Sequence, residues 1–169
     1  MTTRRETTYD VAVIGAGPVG ATAALAFARE GRRVLLLEQD PFAATERTIG
    51  EWLHPPALDV LDELGVDLTP PVPYATGRGF VVLTDDGGEP VVLPYRAGRS
   101  GFSVEHGLLV ETLRAHAERD PRIDYLPSTR AVRLEHDTLT FTSVHGAART
   151  VSTCARSGAC ARTAAAISR

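Results

Sequence analysis

Residues 10–38, DVAVIGAGPVGATAALAFAREGRRVLLLE, read as strand, glycine turn, helix and second strand in unbroken succession. That order leaves a βαβ unit as the fitting local fold. Asp10 to Ile14 is a short apolar run rich in β-branched residues, the pattern of a buried parallel strand. Gly15, Gly17 and Gly20 then spell G-x-G-x-x-G, and an alanine-rich helix follows from Ala21 to Arg29. Gly31 closes the helix, and Arg33 to Leu37 returns as an apolar strand that ends on Glu38.

Each position has a physical reason. Gly15 permits the tight turn out of the strand, Gly17 lets backbone approach a pyrophosphate, and Gly20 lets the helix lie close to the sheet. The helix N-terminus offers free N–H groups and a positive dipole end to that pyrophosphate. Glu38, at the tip of the second strand, is placed to accept both hydroxyls of an adenosine ribose and to repel a 2′-phosphate. Pro18 in the turn and Gln39 beside the acid complete this part of the candidate site. A glycine-rich turn alone fits an ordinary α/β domain; strand, glycines, helix, strand and acid in register point to a bound dinucleotide.

The chain's 169 residues are the size of one domain, and its 43% hydrophobic and 23% charged residues fit a soluble globular protein. A net charge of −3 offers no electrostatic attraction for nucleic acid or an anionic membrane. The basic residues are all arginine, which reads as genome composition more than function. No apolar run reaches transmembrane length, and MTTRRETTYD leads straight into the first strand without a signal-peptide core, so the expected location is cytoplasmic. Cys154 and Cys160, the two cysteines, support neither a disulfide framework nor a thiolate metal site. No feature selects an oligomeric state.

Further along, Gln39 to Gly50 reads as a loop, and His54-Pro55-Pro56 opens a helix from Ala57 to Leu64. Thr69 to Tyr74 is a proline-rich connector. Phe80–Leu83 and Pro90–Pro94 are expected as strands joined by a turn at Asp85-Asp86-Gly87-Gly88. Leu108, Leu109, Thr112, Leu113 and Ala117 repeat at helical spacing from about Glu105 to Glu118, and Asp120-Pro121 stops that helix before a strand at Ile123–Leu126. Ala131–Leu134, Leu139–Val144 and Ala148–Thr153 form an antiparallel meander. The expected fold class is α/β, with a parallel sheet. After Asp137 there is no acidic residue, and 154–169, CARSGACARTAAAISR, has neither strand period nor amphipathic stripe. It reads as a frayed end or as translation that has left the original frame.

These residues resemble a known class. GAGPVGATAALAFAREGRRVLLLEQD is similar to the opening of FAD-dependent monooxygenases of the flavoprotein hydroxylase class. ERTIGEWLHPPALDVLDELGV, residues 46–66, resembles the Arg-x-x-Gly-Glu…Gln-Pro-Gly segment of squalene epoxidases and related epoxidases. GFSVEHGLLVETLRAHAERDPRIDYL, residues 101–126, is similar to their helix and strand after an inserted hairpin. The resemblance implies a Rossmann-like FAD-binding fold of the glutathione reductase type, a parallel sheet plus a three-stranded antiparallel meander. Its extents are an extension over 1–8, the FAD-binding domain over 9–153 with a hairpin insertion at about 70–100, and a tail over 154–169.

It further implies that Gly15, Gly17, Gly20 and Glu38 hold the adenosine half of FAD and that Arg47 lies along the same groove. A guanidinium in a loop beside a pyrophosphate site is a good anion clamp. Glu51 and Trp52 belong to the same motif, where local packing accounts for them equally well. Where the class has an arginine or glutamine starting the second long helix, this chain has His106 and Leu108, and Phe80 stands where squalene epoxidases have a tyrosine. No catalytic residue is assigned and no metal site is expected.

The implied function is insertion of one oxygen atom of O2 into a small hydrophobic or aromatic substrate by FAD reduced with NADPH or NADH. The Asp-Gly motif that follows the meander in this class does not appear, so the fold is expected to be incomplete and the chain truncated. Two other readings stay open: an NAD-dependent oxidoreductase on the same fold, and a non-catalytic nucleotide-binding fragment. The meander, in place of a six-strand series, speaks against the first.

Overall fold

The computed structural model describes residues 8–43, 50–68, 75–143, 148–153 and 164–166. In chain order the strands are β1 (Thr8–Tyr9), β2 (Val11–Ile14), β3 (Val34–Leu37), β4 (Gly50–Leu53), β5 (Thr76–Gly77), β6 (Gly79–Val82) and β7 (Val91–Pro94). They continue as β8 (Gly101–Glu105), β9 (Ile123–Leu126), β10 (Thr129–Glu135), β11 (Thr138–Ser143), β12 (Ala148–Thr153) and β13 (Ala164–Ala166). The helices are α1 (Pro18–Arg29), α2 (Pro55–Glu63) and α3 (His106–Arg119).

Strands β13, β2, β3 and β9 lie side by side in that order, every pair parallel. Successive residues of a strand face opposite sides, and both sides of this sheet are covered. Val11, Val13, Val34, Leu36 and Ile123 pack with Ala21, Ala24 and Ala28 of α1 and Leu109, Leu113 and Ala117 of α3. On the other face, Ala12, Leu35 and Leu37 pack with Tyr9 and with Leu139 and Phe141 of β11. Double coverage explains why VLLL is unbroken by a polar residue; all four side chains of β3 are buried. The second face is covered by the sheet β1-β12-β11-β10, in which β10, β11 and β12 form the expected antiparallel meander and β1 joins parallel to β12.

Helix α1 begins at Pro18, earlier than the expected Ala21. The fixed φ of proline suits the first helical position, where its missing N–H loses no bond. Helix α2 likewise opens on Pro55 after His54. The strands β4 and β8 differ from the sequence reading, which ends a loop at Gly50, gives 101–104 no element and starts the second long helix at about Glu105. They pair antiparallel, with β5 on the far side of β8. Only Gly101 and Val104 of the two strands are buried, so no two-residue hydrophobic period announced them. The hairpin β6–β7 is a separate two-stranded sheet close to its expected bounds.

The tail also differs from expectation over three residues. Ala164–Ala166 pairs parallel with Ala12–Ile14, a backbone interaction that needs no hydrophobic period. The rest of 154–169, and the connector at 69–74, lie outside the described residues. Among the described residues no helix is long and apolar enough to cross a membrane.

Candidate functional site

The glycine turn sits between β2 and α1. Gly15 has φ +100°, a left-handed conformation that side chains rarely tolerate, and its N–H donates to Leu37 O at 2.8 Å. A Cβ built on Gly20 would lie 1.9 Å from Gly15 O, so the helix can approach the turn this closely only without a side chain there. A Cβ on Gly17 would meet nothing within 4 Å. Space above the turn is therefore open, while space beneath it is closed. No side chain caps the N-terminus of α1, so its first N–H groups remain available to an anion.

That open space is a groove of about 670 Å³. Gly15, Gly17, Pro18, Val19 and Gly20 line one side, and Glu38, Gln39 and Asp40 line another. The structure thus brings together six of the seven sequence-predicted site residues, Gly15, Gly17, Pro18, Gly20, Glu38 and Gln39. The seventh, Arg47, lies outside the described residues. The volume falls within the roughly 300–1,000 Å³ usual for ligand pockets, and neighbouring backbone amides beside a carboxylate suit a diphosphate joined to a ribose. Among the described residues no cluster of three or more His, Cys, Asp or Glu could hold a metal ion.

Glu38 is held from several sides. Its Oε2 accepts from the Ala16 N–H at 2.9 Å, and its Oε1 accepts from the Asp40 N–H at 2.9 Å. Its backbone is tied as well: the Glu38 N–H donates to Leu126 O, and Glu38 O accepts from the Thr129 N–H. Asp40 in turn accepts from the N–H groups of Phe42 and Ala43, which shapes the loop leaving the groove.

Arg114 of α3 went unnoticed in the sequence. Its guanidinium is buried, donating through Nε to Ala16 O at 2.7 Å, through Nη1 to Pro41 O at 2.6 Å and through Nη2 to Glu38 Oε2 at 3.2 Å. One side chain therefore ties the glycine turn, the acid and the loop after β3. A signal was present: Arg114 falls four residues after Val110 and three before Ala117, on the buried face of α3. Tyr125 lies near this pair; burial chiefly raises its hydroxyl pKa above the usual tyrosine value, Arg114 opposes the shift and Glu38 adds to it.

His106, read from sequence as an ordinary helix-start histidine, also lines the groove. It is 7% exposed, and its Nδ1 is hydrogen-bonded to Glu51 Oε1 at 2.8 Å. The Glu51 of the motif thus has a partner across β4–β8. Trp52 has a packing role: its ring covers Gly77 and Gly101, and its Nε1 donates to the Tyr95 hydroxyl at 2.8 Å. The same hydroxyl is 2.8 Å from His54 Nδ1, and the Phe80 ring lies tilted against His54 and edge-on to Tyr95.

Parallel sheet, glycine turn and meander together make a Rossmann-like α/β fold. Residues 10–70 match the family described as FAD dependent oxidoreductase. The chain is 28% identical to the squalene monooxygenase of Mus musculus over 134 residues, which is 76% of this chain and 23% of that protein. It is 47% identical to squalene epoxidase ERG1 of Candida albicans over 58 residues, 34% of this chain and 12% of that one. Among solved structures, p-nitrophenol 4-monooxygenase PnpA from Pseudomonas putida superimposes with a TM-score of 0.70 at 18% identity, covering 88% of this chain and 40% of its own. The myxobacterial FAD-dependent halogenase CndH gives 0.71 at 24% identity, covering 86% and 36%. The chain is thus similar to squalene epoxidases over the matched segments, and its residues 10–70 match an FAD dependent oxidoreductase family. It spans less than a third of the length of these curated relatives.

Proposed function

We propose that this chain binds FAD as the cofactor-binding part of a flavin-dependent monooxygenase of the epoxidase type. The observation that carries the reading is the groove, with the open Gly15–Gly20 turn and uncapped α1 N-terminus on one side and Glu38 on the other. In this reading Gly15, Gly17, Pro18 and Gly20 hold the diphosphate through backbone and Glu38 and Gln39 face the adenosine ribose, while Arg47 is assigned to the cofactor on the sequence resemblance alone.

Bound FAD supplies a reducible ring system that, once reduced by NADPH or NADH, lets one oxygen atom of O2 enter an organic substrate. The residues of this chain bind and orient that cofactor. The α1 dipole favours the diphosphate charge, Glu38 fixes the ribose, and the apolar sheet beneath keeps the turn rigid. Oxygen transfer to a small hydrophobic or aromatic substrate is assigned to the longer protein that the relatives represent. A cytoplasmic location is part of the same proposal, checked by fractionating cells that express the protein.

Titrating the purified chain with FAD tests the reading. Quenching of flavin fluorescence that saturates, and a yellow protein that keeps its flavin bands through gel filtration, are the expected results. A chain with native-like secondary structure that takes up neither FAD nor ADP would overturn it.

A further inference from the structure

We propose that Arg114 is a specificity-determining positioning residue that leaves Glu38 a single free acceptor site, so that the site reads one ribose hydroxyl rather than two. The inference rests on the nucleotide-binding reading above. An ionised carboxylate offers about four lone-pair sites on its two oxygens. In Glu38, Oε2 already accepts from the Ala16 N–H and from Arg114 Nη2, and Oε1 accepts from the Asp40 N–H. Counting the described residues, Oε2 is therefore filled by the protein, and what remains for a ligand is one site on Oε1.

Arg114 makes this arrangement rigid. Its Nε donates to Ala16 O while the Ala16 N–H donates to Glu38 Oε2, so guanidinium, Ala16 main chain and carboxylate close a ring of hydrogen bonds under the glycine turn. Its third bond, to Pro41 O, holds the loop that carries Gln39 and Asp40 past the groove. The Arg114 and Glu38 side chains are 9% and 15% exposed, so water competes little for either. Turning the carboxylate to offer both oxygens would leave a buried guanidinium and a backbone N–H short of acceptors, which is costly. The pair therefore sets what Glu38 can recognise, and Arg114 acts through it without touching the nucleotide.

Calorimetric titration of the unmodified chain with ADP, 2′-deoxy-ADP and 3′-deoxy-ADP tests this directly. One deoxy analogue is expected to bind about tenfold or more weakly than ADP, the loss of one hydrogen bond to a charged acceptor, and the other to bind like ADP. Equal weakening of both, or of neither, overturns the inference while leaving nucleotide binding intact. Failure of ADP and FAD alike to bind overturns the underlying reading, and this inference with it.

A double-mutant cycle separates positioning from simple support. Arg114→Met, which frees an acceptor site on Oε2, is expected to make both deoxy analogues lose affinity relative to ADP in the parent chain, a loss absent on a Glu38→Gln background because the effect passes through the carboxylate. The same loss on both backgrounds means that Arg114 only holds backbone together, which overturns the assignment. If Arg114→Met does not fold by circular dichroism, the deoxynucleotide comparison decides alone.

Discussion

Strand β3 and the hairpin β6–β7 are both written in valine and leucine, yet they end in opposite surroundings. Val34 to Leu37 are at most 1% exposed, whereas Val81, Val92 and Leu83 are 60%, 64% and 73% exposed. The difference does not lie in the strands. Two helices and the meander close over β3, whereas no described side chain of the hairpin's β6 or β7 is buried. An apolar strand states a need for cover; other parts of the chain decide whether that need is met. Among the described residues the hairpin's outer strand edges have no strand partner, a liability for association in an exposed apolar hairpin.

The contrast can be broken or sharpened by substitution. The largest effect is expected at Gly20→Ala, where the new methyl would meet backbone Gly15 O at 1.9 Å in a turn with no slack. A loss of about 4 kcal/mol or more is expected in denaturant unfolding, beyond the usual cost of overpacking. A near-neutral Gly20→Ala would show that α1 does not lie this tightly on β2. Next comes Leu36→Ala, fully buried between the sheet and its helices, with an expected loss of about 3 kcal/mol from lost transfer energy and a residual cavity. Loss below about 1 kcal/mol would remove β3 from the core.

Tyr95→Phe probes the tie between the hairpin and the body of the domain. It deletes the hydroxyl shared by Trp52 Nε1 and His54 Nδ1, and about 1 kcal/mol is expected in thermal unfolding. A shift in the local fluorescence of Trp52, the one tryptophan in the chain, should accompany it. The smallest effect is expected for the paired change Val81→Thr and Val92→Thr on the hairpin. Each exposed site should alter stability by no more than about 0.5 kcal/mol, while light scattering of concentrated protein falls. A destabilisation above about 2 kcal/mol would mean that these side chains are covered, and the comparison with β3 would collapse.

The same division separates what was legible in the candidate site from what was not. Gly15, Gly17 and Gly20 could be read because turn geometry and close approach are local demands, met within one stretch of chain. Glu38 was legible because strand length places it beside that turn. Arg114 was not: it sits among leucines at helical spacing, and its three acceptors come from a glycine turn and a loop far away in sequence. His106 and Glu51 were noticed one at a time, but their pairing appears only when β4 lies against β8. Those two strands escaped notice for a related reason, since half-exposed strands carry no clear period.

By itself the sequence determined the βαβ unit, the helices α2 and α3, the meander and the glycine turn with its acid. All of these rest on local conformational preference or on a hydrophobic period, which a linear reading can detect. Only the tertiary structure decided that Arg114 closes a hydrogen-bonded ring under the turn, that His106 and Glu51 meet, and that β13 extends the parallel sheet. Those outcomes depend on burial and on partners distant in sequence, and buried polar groups reveal their partners only once the chain has brought them together.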